Sequence, residues 1–114
     1  MHCIMVDPWS FTPPYDQALS SALVDKGTTV TFVCCRPEDV NQHQHFPQSI
    51  AIKELFSPPP AWFPKAANQA FKGVIHIIGM IRLLVLVVQT RPQVIHLQWL
   101  TIPLVDICFI WLMQ

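Results

Sequence analysis

Charged residues are scarce in this sequence. They make up 12% of its 114 residues, against about 25% in average soluble domains, while 52% of the residues are hydrophobic. Seven cations balance seven anions and are scattered along the chain, which excludes the basic surface of a nucleic-acid-binding protein. A single domain with so few charges is expected to have a surface that a larger protein, a partner subunit or a membrane covers in part.

Glycine is also scarce, and this excludes a common phosphate-binding motif. The chain has neither Gly-x-Gly-x-x-Gly nor a glycine-rich loop that carries lysine, so we expect no dinucleotide site of the usual kind and no cofactor. The four cysteines show no Cys-x-x-Cys spacing, which indicates reduced core thiols in the cytosol. His43 and His45 have no third ligand nearby, so we expect solvated side chains and no metal.

The two ends of the sequence carry separate expectations. Residues 1–3 include no basic region or cleavage-like site, which predicts a cytoplasmic location. Residues 111–114 lie in an apolar pattern with no glycine, cation or polar tail to end a helix. We therefore expect a truncated or interrupted reading frame, whose downstream DNA encodes a further strand and a second domain.

Residues 4–35 have the pattern of a strand, a helix and a second, parallel strand. Prolines end the first apolar run, and the β-branched run 29–35 predicts a strand buried on both faces. Either Thr12 or Asp16 caps the intervening helix, which Gly27 ends. Helical spacing places four residues of this helix toward the core and its polar residues, Asp16 and Ser20 among them, mostly on the other side. The four are Tyr15, Leu19, Ala22 and Leu23.

The remaining sequence predicts two more strands and two more helices. The strands are expected at 49–55 and 93–99, and the helices at 65–89 and 103–113. The long helix has a narrow polar stripe that includes His76, Gly79 and Arg82, and we expect the rest of it to be mostly buried. Its apolar run 74–88 is shorter than the ~20 residues of a membrane span, so contact with a membrane interface is the alternative.

Several aromatic and histidine side chains leave further alternatives open. Trp62 and Phe63, in the proline-rich segment 57–64, either cap the core or form an apolar knob for a membrane or a lipid. His76 is expected to point to solvent or a lipid head group, since nothing nearby in the sequence would orient it. His96 is expected to face the core or lie between layers. The sequence displays no complete catalytic arrangement.

Ligands of parallel α/β sheets bind beyond the carboxyl ends of the strands, which directs attention to residues 7–15 and 98–103. These loops offer aromatic faces, hydroxyls, an amide and a carboxylate, which suit a polyhydroxylated ligand, although a rigid packed turn explains the aromatics equally well. The residues that we expect to bind such a ligand are Trp9, Ser10, Phe11, Thr12, Tyr15, Asp16, Gln98 and Trp99.

Two stretches resemble the amino-terminal domain of GT-B glycosyltransferases of the family 4 type. They are VDPWSFTPPYD at residues 6–16, with the apolar pattern that follows it, and RPQVIHLQW at 91–99, which is similar to the family's RPDVVHLQW strand and likewise follows a long helix. The resemblance implies a Rossmann-like parallel sheet with helices on both faces, as the acceptor-side half of a two-domain fold. It also implies metal-independent transfer of a sugar from a nucleotide sugar to a sugar or lipid-linked acceptor, often at a membrane surface.

Two departures from the family pattern affect the expected activity. Tyr15 and Asp16 stand where the family commonly has two glycines that approach the donor phosphates, and the donor domain lies outside this sequence. We therefore expect residues 1–114 to be one partial, incomplete domain that does not catalyse transfer alone, located in the cytoplasm or on the inner face of the membrane. The alternatives are a small non-enzymatic protein that docks on a membrane or a partner, and a minimal flavodoxin-like binder.

Overall fold

A computed structural model describes residues 1–35 and 46–114 as one sheet with helices on both faces. His43 and His45 lie outside the described residues. A single turn of 3-10 helix, Lys65–Ala67, precedes the long helix. The strands are β1 (His2–Asp7), β2 (Thr29–Cys35), β3 (Ala51–Phe56) and β4 (Val94–Leu97), and the helices are α1 (Pro13–Asp25), α2 (Asn68–Thr90) and α3 (Pro103–Met113).

The four strands are parallel and lie in the order β3-β2-β1-β4. The predicted side-by-side pairing of the first two strands is confirmed, with Ile4 opposite Thr31 and Val6 opposite Val33. Because all strands point the same way, their carboxyl ends lie together at one end of the sheet, called here its carboxyl edge. The loops that follow β1 and β4 therefore meet at that edge.

Alternating side chains of the central strands divide the core into two layers. Ile4, Val6 and Val33 pack with α2 and α3, whereas Met5 and Phe32 pack on the face that α1 covers. Both layers exclude water from β1 and β2, which explains why these strands are nearly continuous apolar runs. The predicted α/β class is confirmed.

Helix α1 begins and ends as the sequence predicts, but it is turned differently on the sheet. Thr12 precedes the first helical residue, Pro13, and Gly27 follows the helix with φ +79°. Asp16 and Ser20 are fully buried, whereas Tyr15 is 52% exposed. Leu19 and Leu23 pack on the sheet as predicted. Tyr15 and Ala22 are exposed instead, because the packed side is turned by about a quarter turn toward Val24. The Ser20 hydroxyl is satisfied within the helix, since it donates to the Asp16 carbonyl at 2.6 Å.

Helix α2 also presents an unexpected side to the sheet. His76 and Gly79, predicted to lie on a polar stripe, are buried with three apolar residues, while the opposite side of the helix is exposed. The expectation of a mostly buried helix was therefore wrong. An almost uniformly apolar helix has no preferred face of its own, so close packing on β3 decides its orientation. The large exposed apolar residues of α2 are Val74, Ile77, Ile78, Ile81, Val85 and Val88.

The segment Lys65–Thr90 meets the length and hydropathy requirements of a membrane span, since its most apolar stretch of 18 residues has a mean hydropathy of 2.1, and it is the one such helix in the described residues. The apolar run 74–88 that the sequence singled out is shorter than a membrane span, and the span-length segment includes the residues before it. Core helices of soluble proteins pass the same test, and here α2 packs on the sheet through Met80, Leu83 and Val87. Arg91, with φ 46°, ends the helix directly before Pro92, as predicted.

The two aromatic residues of the proline-rich segment behave differently. Phe63 stacks on Phe71 of α2 with ring centroids 4.1 Å apart, which agrees with packing against the folded domain. Trp62 is 80% exposed and does not cap the core. Its contact with a lipid or a membrane stays a prediction.

Candidate functional site

A cleft of about 580 Å³ lies where the loops after β1 and β4 approach the start of α2. The first loop contributes Trp9 and Phe11, both predicted to bind a ligand, and the second contributes Thr101 and Ile102. Helix α2 adds Gln69, Lys72 and Gly73, which the sequence did not single out because they lie inside a helical pattern. Among the described residues, the lining thus combines two aromatic rings, an amide, a hydroxyl and one ammonium group.

The first loop is held in shape by the buried carboxylate of Asp7, at the end of β1. One Asp7 oxygen accepts the backbone N–H of Trp9 at 3.4 Å, and the other accepts that of Thr12 at 3.3 Å. Ser10 adopts a left-handed backbone with φ 53° and donates its N–H to the Asp7 carbonyl. Such a conformation is uncommon outside glycine, so these hydrogen bonds stabilise a loop that would otherwise relax.

The second loop is tied to the first by two side chains that we expected to bind a ligand. The Gln98 amide donates a hydrogen bond to the hydroxyl of Thr12, and the Gln98 backbone N–H donates to Val6 at 3.0 Å. The Trp99 ring lies edge-on to Phe11, with centroids 6.3 Å apart. The structure thus brings Thr12, Gln98 and Trp99 together next to the cleft, where they join its two walls.

The other predicted binding residues lie outside the cleft lining of the described residues. The Tyr15 side chain is exposed on α1, and the hydroxyl of Ser10 is buried without a hydrogen-bond partner in residues 1–35 and 46–114. Asp16 is fully buried beneath the first loop. It faces Asp7 instead of solvent.

Asp7 and Asp16 form a buried pair of acidic groups. Burial raises the pKa of Asp16 to about 7, and the neighbouring Asp7 carboxyl adds to the rise. In its protonated form the Asp16 carboxyl can share a hydrogen bond with Asp7, which also favours the higher pKa. At neutral pH this carboxyl is therefore partly protonated, which limits repulsion between the two acids.

Cys34 lies opposite Asp7 and Glu54 in the register of the sheet. Burial raises the pKa of the Cys34 thiol to about 12, and the neighbouring acidic groups add to this. A thiol held in its protonated form is a poor nucleophile. Cys3, Cys34 and Cys35 are buried and form no disulfide, as predicted, whereas Cys108 is exposed on α3 because it lies on the outward side of that helix.

His76 has a partner that sequence reasoning missed. Its Nε2 lies 2.5 Å from Oδ1 of Asp106 on α3, both side chains are buried, and the imidazole stacks on the Phe56 ring. The other oxygen of Asp106 accepts the backbone N–H of Ile102 at 3.0 Å. The expectation that His76 points outward without an orienting group was wrong, because α3 folds back onto α2. The signal was the spacing of His76 with Met80, Leu83 and Val87, which places it on the packed side of the helix.

A second cavity, of about 640 Å³, lies beside β4. Its lining includes His96, Ile110 and Met113. His96 is partly buried and lies opposite Met5, on the face of the sheet that α1 covers. The position of His96 in the core or between layers stays a prediction. Among the strands of residues 1–35 and 46–114, β4 pairs only with β1, so its other side is a lateral edge of the sheet.

Two further tests constrain the chemistry of the candidate site. The part of the chain that the structure describes contains no group of three or more histidine, cysteine or acidic side chains arranged to hold a metal ion. The cleft is therefore characterised by its rings, its amide and its single ammonium group. No protein-family model matches this chain, and no curated protein or solved structure matches it either.

Proposed function

We propose that this chain is the acceptor-binding half of a glycosyltransferase and that its cleft holds the acceptor of the transferred sugar. One observation carries the proposal. The two stretches that resemble GT-B enzymes, residues 6–16 and 91–99, lead into the two loops that wall the same cleft. The nucleotide-sugar donor is proposed to bind to a second domain outside residues 1–114.

The chemistry of the cleft supports a sugar-containing ligand. The rings of Trp9 and Phe11 offer apolar faces on which the C–H side of a pyranose can stack. Gln69 and Thr101 can exchange hydrogen bonds with sugar hydroxyls. The volume of about 580 Å³ lies within the range of roughly 300–1,000 Å³ that is usual for small-molecule sites.

The surroundings of Tyr15 and Asp16 support the proposal that residues 1–114 do not transfer sugar alone. Backbone approach to donor phosphates requires small residues. Here Asp16 is buried against Asp7, and Tyr15 carries a large, partly exposed ring at the start of α1. An acidic pair at this position would also repel phosphate. We therefore propose that the chain binds an acceptor but no nucleotide sugar.

NMR titration of the protein, with its own resonances observed, using methyl and octyl glycosides tests the proposed acceptor site. We expect millimolar or tighter binding that shifts the Trp9 indole resonance, and a loss of about tenfold or more in affinity for Trp9→Ala, since ring stacking supplies much of the contact. Trp62→Ala is the matched control, because Trp62 is 80% exposed and does not line the cleft. Equal binding by both variants, or no binding of any glycoside, would refute the proposal.

The exposed side of α2 and α3 favours a second candidate function, docking on an anionic membrane surface. Six large apolar residues of α2 are exposed, and α3 adds Leu104, Ile107, Trp111 and Leu112. Residues 55–114 contain four cations and one acidic residue, Asp106, which is buried. Exposed apolar area beside uncompensated cations suits the cytoplasmic leaflet, which is negatively charged.

Sedimentation with phosphatidylglycerol-containing vesicles tests this second candidate. We expect the protein to pellet with vesicles, and the double variant Ile81→Glu, Val85→Glu to lose about tenfold in partitioning, because buried carboxylates oppose insertion. The control carries the same added charge on the exposed side of α1, as Ala18→Glu, Ala22→Glu. Equal losses in the two variants would show that net charge alone matters and would exclude docking through α2.

A further inference from the structure

The cleft has a marked charge imbalance. Lys72 is the one charged side chain among the described residues that line it. A lone ammonium group in a concave site, beside aromatic and hydroxyl groups, attracts an anionic ligand group. The neutral sugar hydroxyls of a simple acceptor would leave this charge unused.

The acidic groups of the two elements next to the cleft loops, Asp7 of β1 and Asp106 of α3, are engaged elsewhere. Both oxygens of Asp7 accept backbone N–H groups of the first loop, from Trp9 and Thr12. The oxygens of Asp106 are taken by His76 and by the backbone N–H of Ile102. Neither carboxylate lines the cleft, so neither provides a direct partner for the Lys72 ammonium group there.

Two further features of the cleft favour an anion. The Thr101 hydroxyl oxygen is buried and has no hydrogen-bond partner in the described residues, so a bound group can satisfy it. Gln69 lies in the first turn of α2, directly after the 3-10 turn, and its side-chain amide can donate a hydrogen bond to an anion in the cleft.

We infer that the cleft binds a phosphate-bearing ligand, with the phosphate beside Lys72 and Thr101 and the rest of the molecule on Trp9, Phe11 and Ile102. The phosphate-binding inference rests on the proposed function only where it identifies that ligand as the sugar acceptor. The same phosphate chemistry is presented by a soluble sugar phosphate and by a phospholipid head group.

Titration calorimetry of the 114-residue chain tests the inference with glucose 6-phosphate and inorganic phosphate, and with glucose as the neutral reference. We expect both phosphates to bind more tightly than glucose binds, and to weaken as salt is added. Lys72→Gln should weaken them about tenfold or more, because a charge-assisted contact is lost. Lys65→Gln is the matched control, since Lys65 lies one to two turns before Lys72 and does not line the cleft.

The lipid source is tested with vesicles of phosphatidic acid in phosphatidylcholine, using the same two variants. A selective effect of Lys72→Gln on these vesicles alone assigns the phosphate to a lipid head group, and one on glucose 6-phosphate alone assigns it to a soluble ester. Equal effects of both variants in every arm overturn the inference, as does binding of glucose and its phosphate with equal affinity. If glucose and its phosphate bound with equal affinity, the acceptor proposal would still stand. If phosphates bound but no glycoside did, the acceptor proposal would be refuted and the phosphate site would be retained.

Discussion

Replacing Gly79 with alanine is expected to destabilise the protein by about 1–2 kcal/mol. A Cβ at this position would overlap the ring of Phe56, which is itself fully buried and stacked on His76. Alanine would favour the helix by up to about 1 kcal/mol, but forcing extra atoms into a packed core typically costs about 1–3 kcal/mol and sometimes more. The overlap with a buried ring decides the sign.

Gly73→Ala is the control for the Gly79 substitution because both glycines lie within α2. A Cβ at Gly73 would meet only the side chain of Ile102, at an ordinary contact distance of 3.9 Å. We expect this variant to gain about 0.5–1 kcal/mol from helix propensity. Urea denaturation with an unchanged slope measures both values. If Gly79→Ala proved as stable as Gly73→Ala, the close packing of α2 on β3 would be wrong.

A double variant separates steric overlap from other causes of the same loss. Phe56→Leu removes the ring that the new methyl group would strike, at its own cost in packing. In that background, Gly79→Ala should lose much less stability, which gives a coupling energy of about 1 kcal/mol or more between the two sites. Additive effects would point to a cause outside this contact.

The stability of the wild-type protein should fall between about pH 4 and pH 7 through Asp16, and Asp16→Asn should remove that fall. The folded state raises the pKa of Asp16 from 3.8 to about 7, so between these values the folded chain binds more protons than the unfolded chain. The free energy of unfolding that this group contributes is full below about pH 4 and is lost as the pH rises through about 7.

The magnitude of the Asp16 effect follows from the size of that shift. One pKa unit corresponds to about 1.4 kcal/mol, and local relaxation around the acid pair reduces the full amount, so we expect Asp16→Asn to exceed the wild type by on the order of 2 kcal/mol at pH 8. Asparagine replaces the carboxyl without the charge that Asp7 repels. At pH 4, where Asp16 is largely protonated in the folded protein, the two proteins should differ little.

Denaturation at several pH values from 4 to 8 measures the free energy of unfolding of the wild type and of Asp16→Asn. The difference between the two values cancels the contribution of most other titrating groups. Asp25→Asn provides the control, because Asp25 lies on the same helix with an exposed side chain. Its difference from wild type shows what removing a carboxylate from the exposed side of this helix does by itself. A difference between Asp16→Asn and wild type that did not change with pH would mean that the acid pair is hydrated and not coupled.

Much of the candidate site was predictable in outline, and less of it in detail. The position of the site follows from strand order, since ligand sites of parallel sheets lie at the carboxyl edge, and Trp9 and Phe11 were expected there. Lys72 and Gln69 were not, because residues within a helix give no sequence signal of the loops that they will face. The function as an acceptor-binding half of a glycosyltransferase stays a prediction.

What the sequence determined by itself is the order of the strands and helices and, to within about three residues, their limits. Short apolar runs, prolines after β1 and before β4, and Gly27 act locally, so they specify where each element begins and ends regardless of what lies far along the chain. Parallel pairing of β1 and β2 follows because α1 connects them, and a connection of that length brings the chain back to the same end of the sheet, which a short hairpin turn cannot do.

Only the tertiary structure decided which sides of α1 and α2 face the core. Each helix has more apolar surface than one packed side can use, so periodicity leaves several orientations open. The choice came from contacts between distant residues, such as Gly79 against Phe56 and His76 against Asp106. The second of these contacts buries His76, which the sequence assigned to solvent. Burying a polar group that has a hydrogen-bond partner costs little, whereas a poorly packed helix costs much.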